Sequence, residues 1–139
     1  MMPSLDLTSL SNAVTRLEEG LARCLREPED TQLRDGLVQR FEFSYELSHK
    51  ILKRHLEQTA ASPEEIDRMT FADLIRTGNE QGLLRGDWTA WREYREMRSR
   101  TSHTYDENSA KLVVAGIPAF LTEVHHLLGQ LEKRATSPS

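Results

Sequence analysis

Apolar residues along this chain recur at steps of three and four, the period of a helix with one face turned to a core. From about residue 8 to 26, Leu10, Ala13, Val14, Leu17, Leu21, Cys24 and Leu25 form such a stripe, with charges opposite. Thr8 or Ser9 is placed to cap its start, and Pro28 with Asp30 marks its stop and the next cap. A longer helix follows over about 30–60. Leu33, Leu37, Phe41, Tyr45, Leu52 and Leu56 line its inner face, and Val38, Leu47 and Ile51 widen it. At roughly 30 residues it would be about 45 Å long and serve as the spine. Ser62-Pro63-Glu64-Glu65 reads as a capping box that opens a third helix reaching about Gly78. Gly78, Gly82 and Gly86 mark a loop, and Asp87 caps a fourth helix bearing Trp88, Trp91, Tyr94 and Met97. The last helix covers about 107–134, with Leu112, Val113, Ile117, Phe120, Leu121, Val124, Leu127, Leu128 and Leu131 inside. Pro118 within it removes a backbone donor and predicts a kink.

Five Val, four Ile and no Asn-Gly or Asp-Gly turn argue against a sheet. The expected fold is all-α, an up-and-down bundle of four or five helices. One domain should cover 1–134, with a mobile tail over 135–139. Leu37, Phe41, Tyr45, Leu52, Trp91, Phe120 and Leu127 should be buried. Trp88 and Trp91 sit at helical spacing and are expected to pack in a core or interface, not to stack on bases.

Composition narrows the classes. The 139 residues are 37% hydrophobic and 29% charged, too apolar for a disordered chain. No run approaches 18 uncharged apolar residues, so no membrane span is expected. The N-terminus MMPSLDLTSL lacks the basic and apolar regions of a secretory signal, which points to the cytoplasm. A lone cysteine, Cys24, excludes an internal disulfide; on the apolar stripe it should act as a small buried hydrophobe. The formal charge of −4 means that any contact with RNA must be carried by a local cluster.

Metal chemistry finds little support. His125 and His126 are adjacent and diverge on a helix, and His49 and His55 are six apart. Glu42 and Glu46 are four apart, with Lys50 four further on, which reads as a solvated ion-pair ladder. No HExxH and no phosphate-binding glycine loop occurs. Neither a metal nor a cofactor is expected.

The segment WREYREMRSRTSHTYD, residues 91–106, is different. It gathers Arg92, Arg95, Arg98 and Arg100 beside His103 and Tyr105 in an acidic chain. A basic helix end alone would suit the macrodipole. The combination suggests more: arginine grips phosphate oxygens, and histidine moves protons near neutral pH. Arg98 and His103 lie about 140° apart on an ideal helix. If they cooperate within one chain, the helix must end or distort between Ser99 and Ser102, and the hydroxyls of Thr101 and Ser102 can break the ladder. Otherwise two chains must pool them in one cleft.

LDLTSLSNAVTRLEEGL, RDGLVQRFEFSYELSHKILKRHLE and RSRTSHTYDE, taken in order, resemble the HEPN superfamily. The specific likeness is to its nucleotidyltransferase substrate-binding proteins, related to HepT-type toxins, and it covers nearly the whole chain. The last string fits the superfamily's pattern of arginine, four to six residues, then histidine, at Arg98 and His103, with the following tyrosine at Tyr105. The resemblance implies a helical homodimer encoded beside a minimal nucleotidyltransferase (MNT) in a toxin–antitoxin-type pair. In active members, arginine and histidine of two chains face one cleft and cut RNA without metal. His103 would then shuttle protons for attack by the ribose 2′-hydroxyl, and Arg98 would stabilise charge on phosphorus. Arg95, Arg100 and Ser102 would bind substrate. Tyr105 matches the tyrosine that the partner enzyme adenylylates, and the added phosphates would repel RNA. Two departures from the pattern stand out: Ser99 stands where an Asn commonly follows the arginine, and Ser48-His49 follow Tyr45-Glu46-Leu47 where the branch commonly has Ala-Trp.

Three readings result. The first is a metal-independent endoribonuclease toxin neutralised at Tyr105. The second is a non-catalytic subunit that holds a substrate or nucleotide for the transferase. The third is a plain helical dimerisation module.

Overall fold

The stripes read from the sequence become six helices in a computed structural model that describes residues 5–136. They are α1 (Thr8–Arg26), α2 (Thr31–Thr59), α3 (Pro63–Asp67), α4 (Phe71–Glu80), α5 (Trp88–Arg100) and α6 (Glu107–Thr136). A 3-10 turn, Thr101–His103, follows α5. None of the described residues lies in a strand.

The caps show where local signals held. Asp30 caps α2 by accepting from the Leu33 amide, and Asp87 caps α5 through the amides of Thr89 and Ala90. At α1 neither Thr8 nor Ser9 does so; Asp6 accepts the Thr8 amide at 2.9 Å instead. The third helix is two. Ser62 makes no capping bond, its hydroxyl donating to Glu64, and Thr70 caps a separate α4 through the Asp73 amide. Ile66 and Phe71 explain the break: five residues apart, they would diverge by about 140° on one continuous helix. Interrupting it lets Ile66 be buried while Phe71 joins the core aromatics.

Four long helices alternate in direction. Ser44 Oγ and the Arg40 guanidinium on α2 donate to the carbonyls of Ala13 and Arg16, so α1 and α2 are antiparallel. Trp91, Tyr94 and Met97 on α5 meet Glu123, Ala119 and Gly116 on α6, again antiparallel. α2 and α6 run parallel: Arg34 faces Glu107, and Phe41 packs edge-to-face on Phe120 at 5.0 Å. This is the expected up-and-down bundle, with α3 and α4 filling the long connection between α2 and α5.

One contiguous buried cluster runs from Leu10 to Leu131. Its centre is aromatic, with Phe41, Tyr45, Trp91, Tyr94 and Phe120 in mutual contact. All seven side chains expected inside are buried, and Cys24 is too. Trp88 packs on the cluster's edge against Phe71. Two expected core residues face outward: Leu25 is 70% exposed and Leu112 is 52% exposed. Each is the sequence neighbour of a residue that takes the inward position, Cys24 and Val113, and adjacent helical residues point about 100° apart.

By length and composition alone α6 is apolar enough to cross a membrane, a test that a buried core helix also passes. In this fold Val113, Ile117, Phe120, Val124, Leu127 and Leu131 bury that apolar face among the other helices. α6 continues unbroken through Pro118 and ends at Thr136, two residues past the expected domain boundary. The remainder of the expected tail, 137–139, lies outside the described residues.

Half-buried His49 packs edge-to-face on Phe71 at 4.5 Å. Burial, helped by the charge of Lys53, lowers its pKa below the usual 6.5. The unfolded chain therefore binds this proton more readily than the folded one. Stability from this site is full above pH 6.5 and is lost as pH falls through the lower folded value. Thermal melts at pH 7.5 and pH 5 should show a smaller acid-induced loss in His49→Phe than in the parent; equal losses would count against this account.

Candidate functional site

The basic segment ends α5 at Arg100, where one of the two expected hydroxyls, that of Thr101, turns back on the helix. Thr101 Oγ1 donates to the Arg98 carbonyl at 2.6 Å, competing with the helical ladder, and the chain tightens into the 3-10 turn. The same oxygen accepts from Arg98 Nη1 at 3.1 Å. Thr101 thus ends the helix and braces the arginine in one arrangement.

Arg98 is held mainly by α2. Its Nε and Nη2 both donate to Glu46 Oε1, at 3.1 and 2.7 Å, and Nη2 lies 3.3 Å from Glu42 Oε1. The bond to Glu46 raises the Arg98 pKa further above its ordinary value, so the group is a fixed cation. Glu42 and Glu46 therefore form a clasp for Arg98, not the solvated ladder with Lys50 that their spacing suggested. A groove of about 620 Å³ between α1 and α2, lined by Arg16, Arg40 and exposed Phe43, reaches the same two carboxylates.

His103 and Tyr105 stand beyond the turn. Their side chains are exposed, Tyr105 at 85%, and His103 Nδ1 lies 3.3 Å from the Tyr105 hydroxyl. The rings meet edge-on, with centroids 5.9 Å apart. Asp106 fixes the following step: its amide donates to the His103 carbonyl, and its carboxylate accepts from the Asn108 amide and the Ser109 hydroxyl. That cap starts α6 and leaves Tyr105 protruding just before it.

Arg98 and His103 thus keep separate partners within this chain, the first on α2 and the second on Tyr105. Among the other expected substrate-binding residues, Ser102 is exposed, Arg100 is half-buried, and exposed Arg95 places its guanidinium 5.9 Å from the Phe71 ring centre. Among the described residues, no group of three or more His, Cys, Asp or Glu could hold a metal ion.

A second polar centre escaped the sequence reading. Glu123, only 3% exposed, accepts from Trp91 Nε1 at 2.6 Å, from the Gly86 amide at 2.9 Å and from the Arg85 amide at 3.0 Å. It ties the loop before α5 to α6. Its position was a signal: three residues after Phe120 and four before Leu127, it lies on the buried stripe.

A helical bundle with an arginine, a histidine and an exposed tyrosine at one helix end defines a class of protein that comparison identifies. Residues 5–133 match the family model described as nucleotidyltransferase substrate binding protein like, and the chain belongs to that family. It is 46% identical over 99 residues to the probable ribonuclease HepT of Haemophilus influenzae, spanning 71% of this chain and 67% of that protein. Its fold matches HI0074 of Haemophilus influenzae with a TM-score of 0.84 at 38% identity, covering 91% of this chain and 99% of the other. That structure is reported to reveal the fold of a substrate binding domain of a nucleotidyltransferase. A protein of Thermus thermophilus matches with a TM-score of 0.71 at 28% identity, over 88% of this chain and 98% of that one.

Proposed function

We propose that this chain is the HEPN-type subunit of a two-gene toxin–antitoxin-like module. In this reading it is a metal-independent endoribonuclease, silenced when a minimal nucleotidyltransferase adenylylates Tyr105. The observation that carries it is the corner after α5, where a fixed arginine, an accessible imidazole and a protruding phenol follow one another across a broken helix end. The name of the HepT relative supports the ribonuclease part, and the family description supports the transferase partner. His103 takes the proton from a ribose 2′-hydroxyl; the 2′-oxygen bonds to the adjacent phosphorus, and the 5′-oxygen leaves with the electron pair of the broken bond and takes a proton from the protonated imidazole. Arg98 stabilises the charge gathering on the phosphoryl oxygens. Arg95, Arg100 and Ser102 hold flanking phosphates. Because Arg98 and His103 keep separate partners within one chain, a homodimer that brings the arginine and histidine of both copies to a shared cleft completes the site. AMP on Tyr105 places negative charge and bulk beside His103, which repels RNA.

Co-expression with the nucleotidyltransferase encoded beside this gene should add mass in units of AMP to the peptide containing Tyr105. Tyr105→Phe should stay unmodified and keep cleaving RNA in the presence of the active transferase. A wild-type protein that carries no AMP at Tyr105, or RNA cleavage that modification leaves intact, would refute the reading.

One observation favours a second reading. Arg98 is already neutralised by Glu46 and Glu42, as suits a group that shapes a binding surface for a substrate or nucleotide of the transferase. Nucleotide binding that requires Arg98, without any RNA cleavage, would select it.

A further inference from the structure

We infer that His103 is the general base for the modification of Tyr105, so that one imidazole serves both the ribonuclease step and its silencing. The inference deepens the proposal that Tyr105 is the nucleotidylated residue and rests on it. Nδ1 of His103 lies 3.3 Å from Tyr105 Oη, and the two side chains have no other hydrogen-bond partner among the described residues. To act as the base, His103 takes the tautomer in which Nδ1 accepts from the phenol O–H and Nε2 carries the ring proton. The pair is held by its surroundings. The 3-10 turn ends at His103, Asp106 donates back to the His103 carbonyl, and Asp106 caps α6, so Tyr105 sits between two anchored points.

A phenol is a weak nucleophile while it keeps its proton, and a positioned base typically contributes about 10²–10⁴ in rate. The co-reactant is a nucleoside triphosphate. As Tyr105 Oη bonds to the α-phosphorus, the bond from that phosphorus to the bridging oxygen breaks and pyrophosphate leaves with the electron pair. The phenol proton passes to His103 Nδ1 and then to water, since both side chains are exposed. Afterwards the esterified oxygen has no proton to donate, and a phosphate stands beside the imidazole.

The consequence is specific: a chain that has lost its ribonuclease base should also be a poor substrate for its transferase. The test uses the full-length protein, ATP and the nucleotidyltransferase encoded beside this gene, following AMP addition at Tyr105 by mass spectrometry. His103→Ala and His103→Asn should slow modification at least tenfold without weakening association of the two proteins, and added imidazole should recover part of the rate in His103→Ala. His103 is exposed, so these variants are expected to fold. Equal rates in parent and variants would overturn the inference while leaving Tyr105 as the target. No AMP at Tyr105 in the parent would instead overturn the underlying reading, and the inference with it.

Discussion

Glu123→Ala is expected to destabilise the protein by about 3–5 kcal/mol, a large share of the 5–15 kcal/mol typical of a folded domain. The substitution removes the acceptor of the fully buried Trp91 indole and of the Arg85 and Gly86 amides. Each buried donor left without a partner costs about 1–3 kcal/mol, and the deleted side chain also leaves a void. The melting temperature should fall by about 12–20 °C, taking roughly 4 °C per kcal/mol for a chain of this length. Glu123→Gln keeps one carbonyl oxygen but points an amide N–H₂ at donors, so an intermediate loss is expected. Urea denaturation followed by tryptophan fluorescence measures both. A loss below about 1 kcal/mol in the alanine variant would show that water replaces the carboxylate and that the loop is not held as described. Gly86 belongs to the same arrangement: a Cβ there would lie 2.9 Å from the Ala90 Cβ on α5 and 3.1 Å from Glu123 Oε1, so glycine lets the loop lie this close to the first turn of α5 beside the carboxylate.

Under the ribonuclease reading, His103→Ala should reduce RNA cleavage by about 10²–10⁴, the usual worth of a positioned general acid–base. Arg98→Ala should reduce it by about 10²–10³, as for loss of one preorganised donor to a developing oxyanion. The two should separate in their effect on stability. His103 is exposed, so its replacement should leave the melting temperature unchanged. Arg98 joins α5 to α2 through Glu46 and Glu42, and its loss leaves two carboxylates facing each other without their cation. Cleavage of a defined RNA alongside thermal melts of the same preparations checks both statements. Undiminished cleavage in His103→Ala would remove the ribonuclease mechanism altogether. Glu46→Gln provides a graded case. It keeps an oxygen for Arg98 but removes the charge, so the arginine should stay in place with more of its positive field available to phosphate, and cleavage should rise or hold while stability declines slightly.

The helices were legible because each buries one stripe, and a stripe is a local property of sequence. Leu10, Leu17, Phe41, Leu52, Phe120 and Leu127 could be placed inside without knowing what they touch. The end of α5 was legible for the same reason, since Thr101 acts on a carbonyl only three residues away. The failures share the opposite cause. Splitting of the third helix depends on where the aromatic core lies, because Ile66 and Phe71 must reach it from different directions. Glu42 and Glu46 carry the spacing of an ion-pair ladder, but the cation that claims them arrives from α5, 52 residues beyond Glu46. Glu123 is an acid on an apolar stripe whose donors come 37 and 38 residues earlier from a loop, and 32 earlier from an indole.

The sequence by itself determined an all-helical chain, the course of its long helices, most of its core and the corner holding Arg98, His103 and Tyr105, because helical period, caps and short motifs act over a few residues. Only the tertiary structure decided which carboxylates restrain Arg98, that the imidazole of His103 meets the phenol of Tyr105, and that a buried acid ties α6 to the loop before α5. Those pairings depend on the approach and orientation of elements distant in the chain or separated by a turn, and a directional hydrogen bond exists only once packing has fixed both partners.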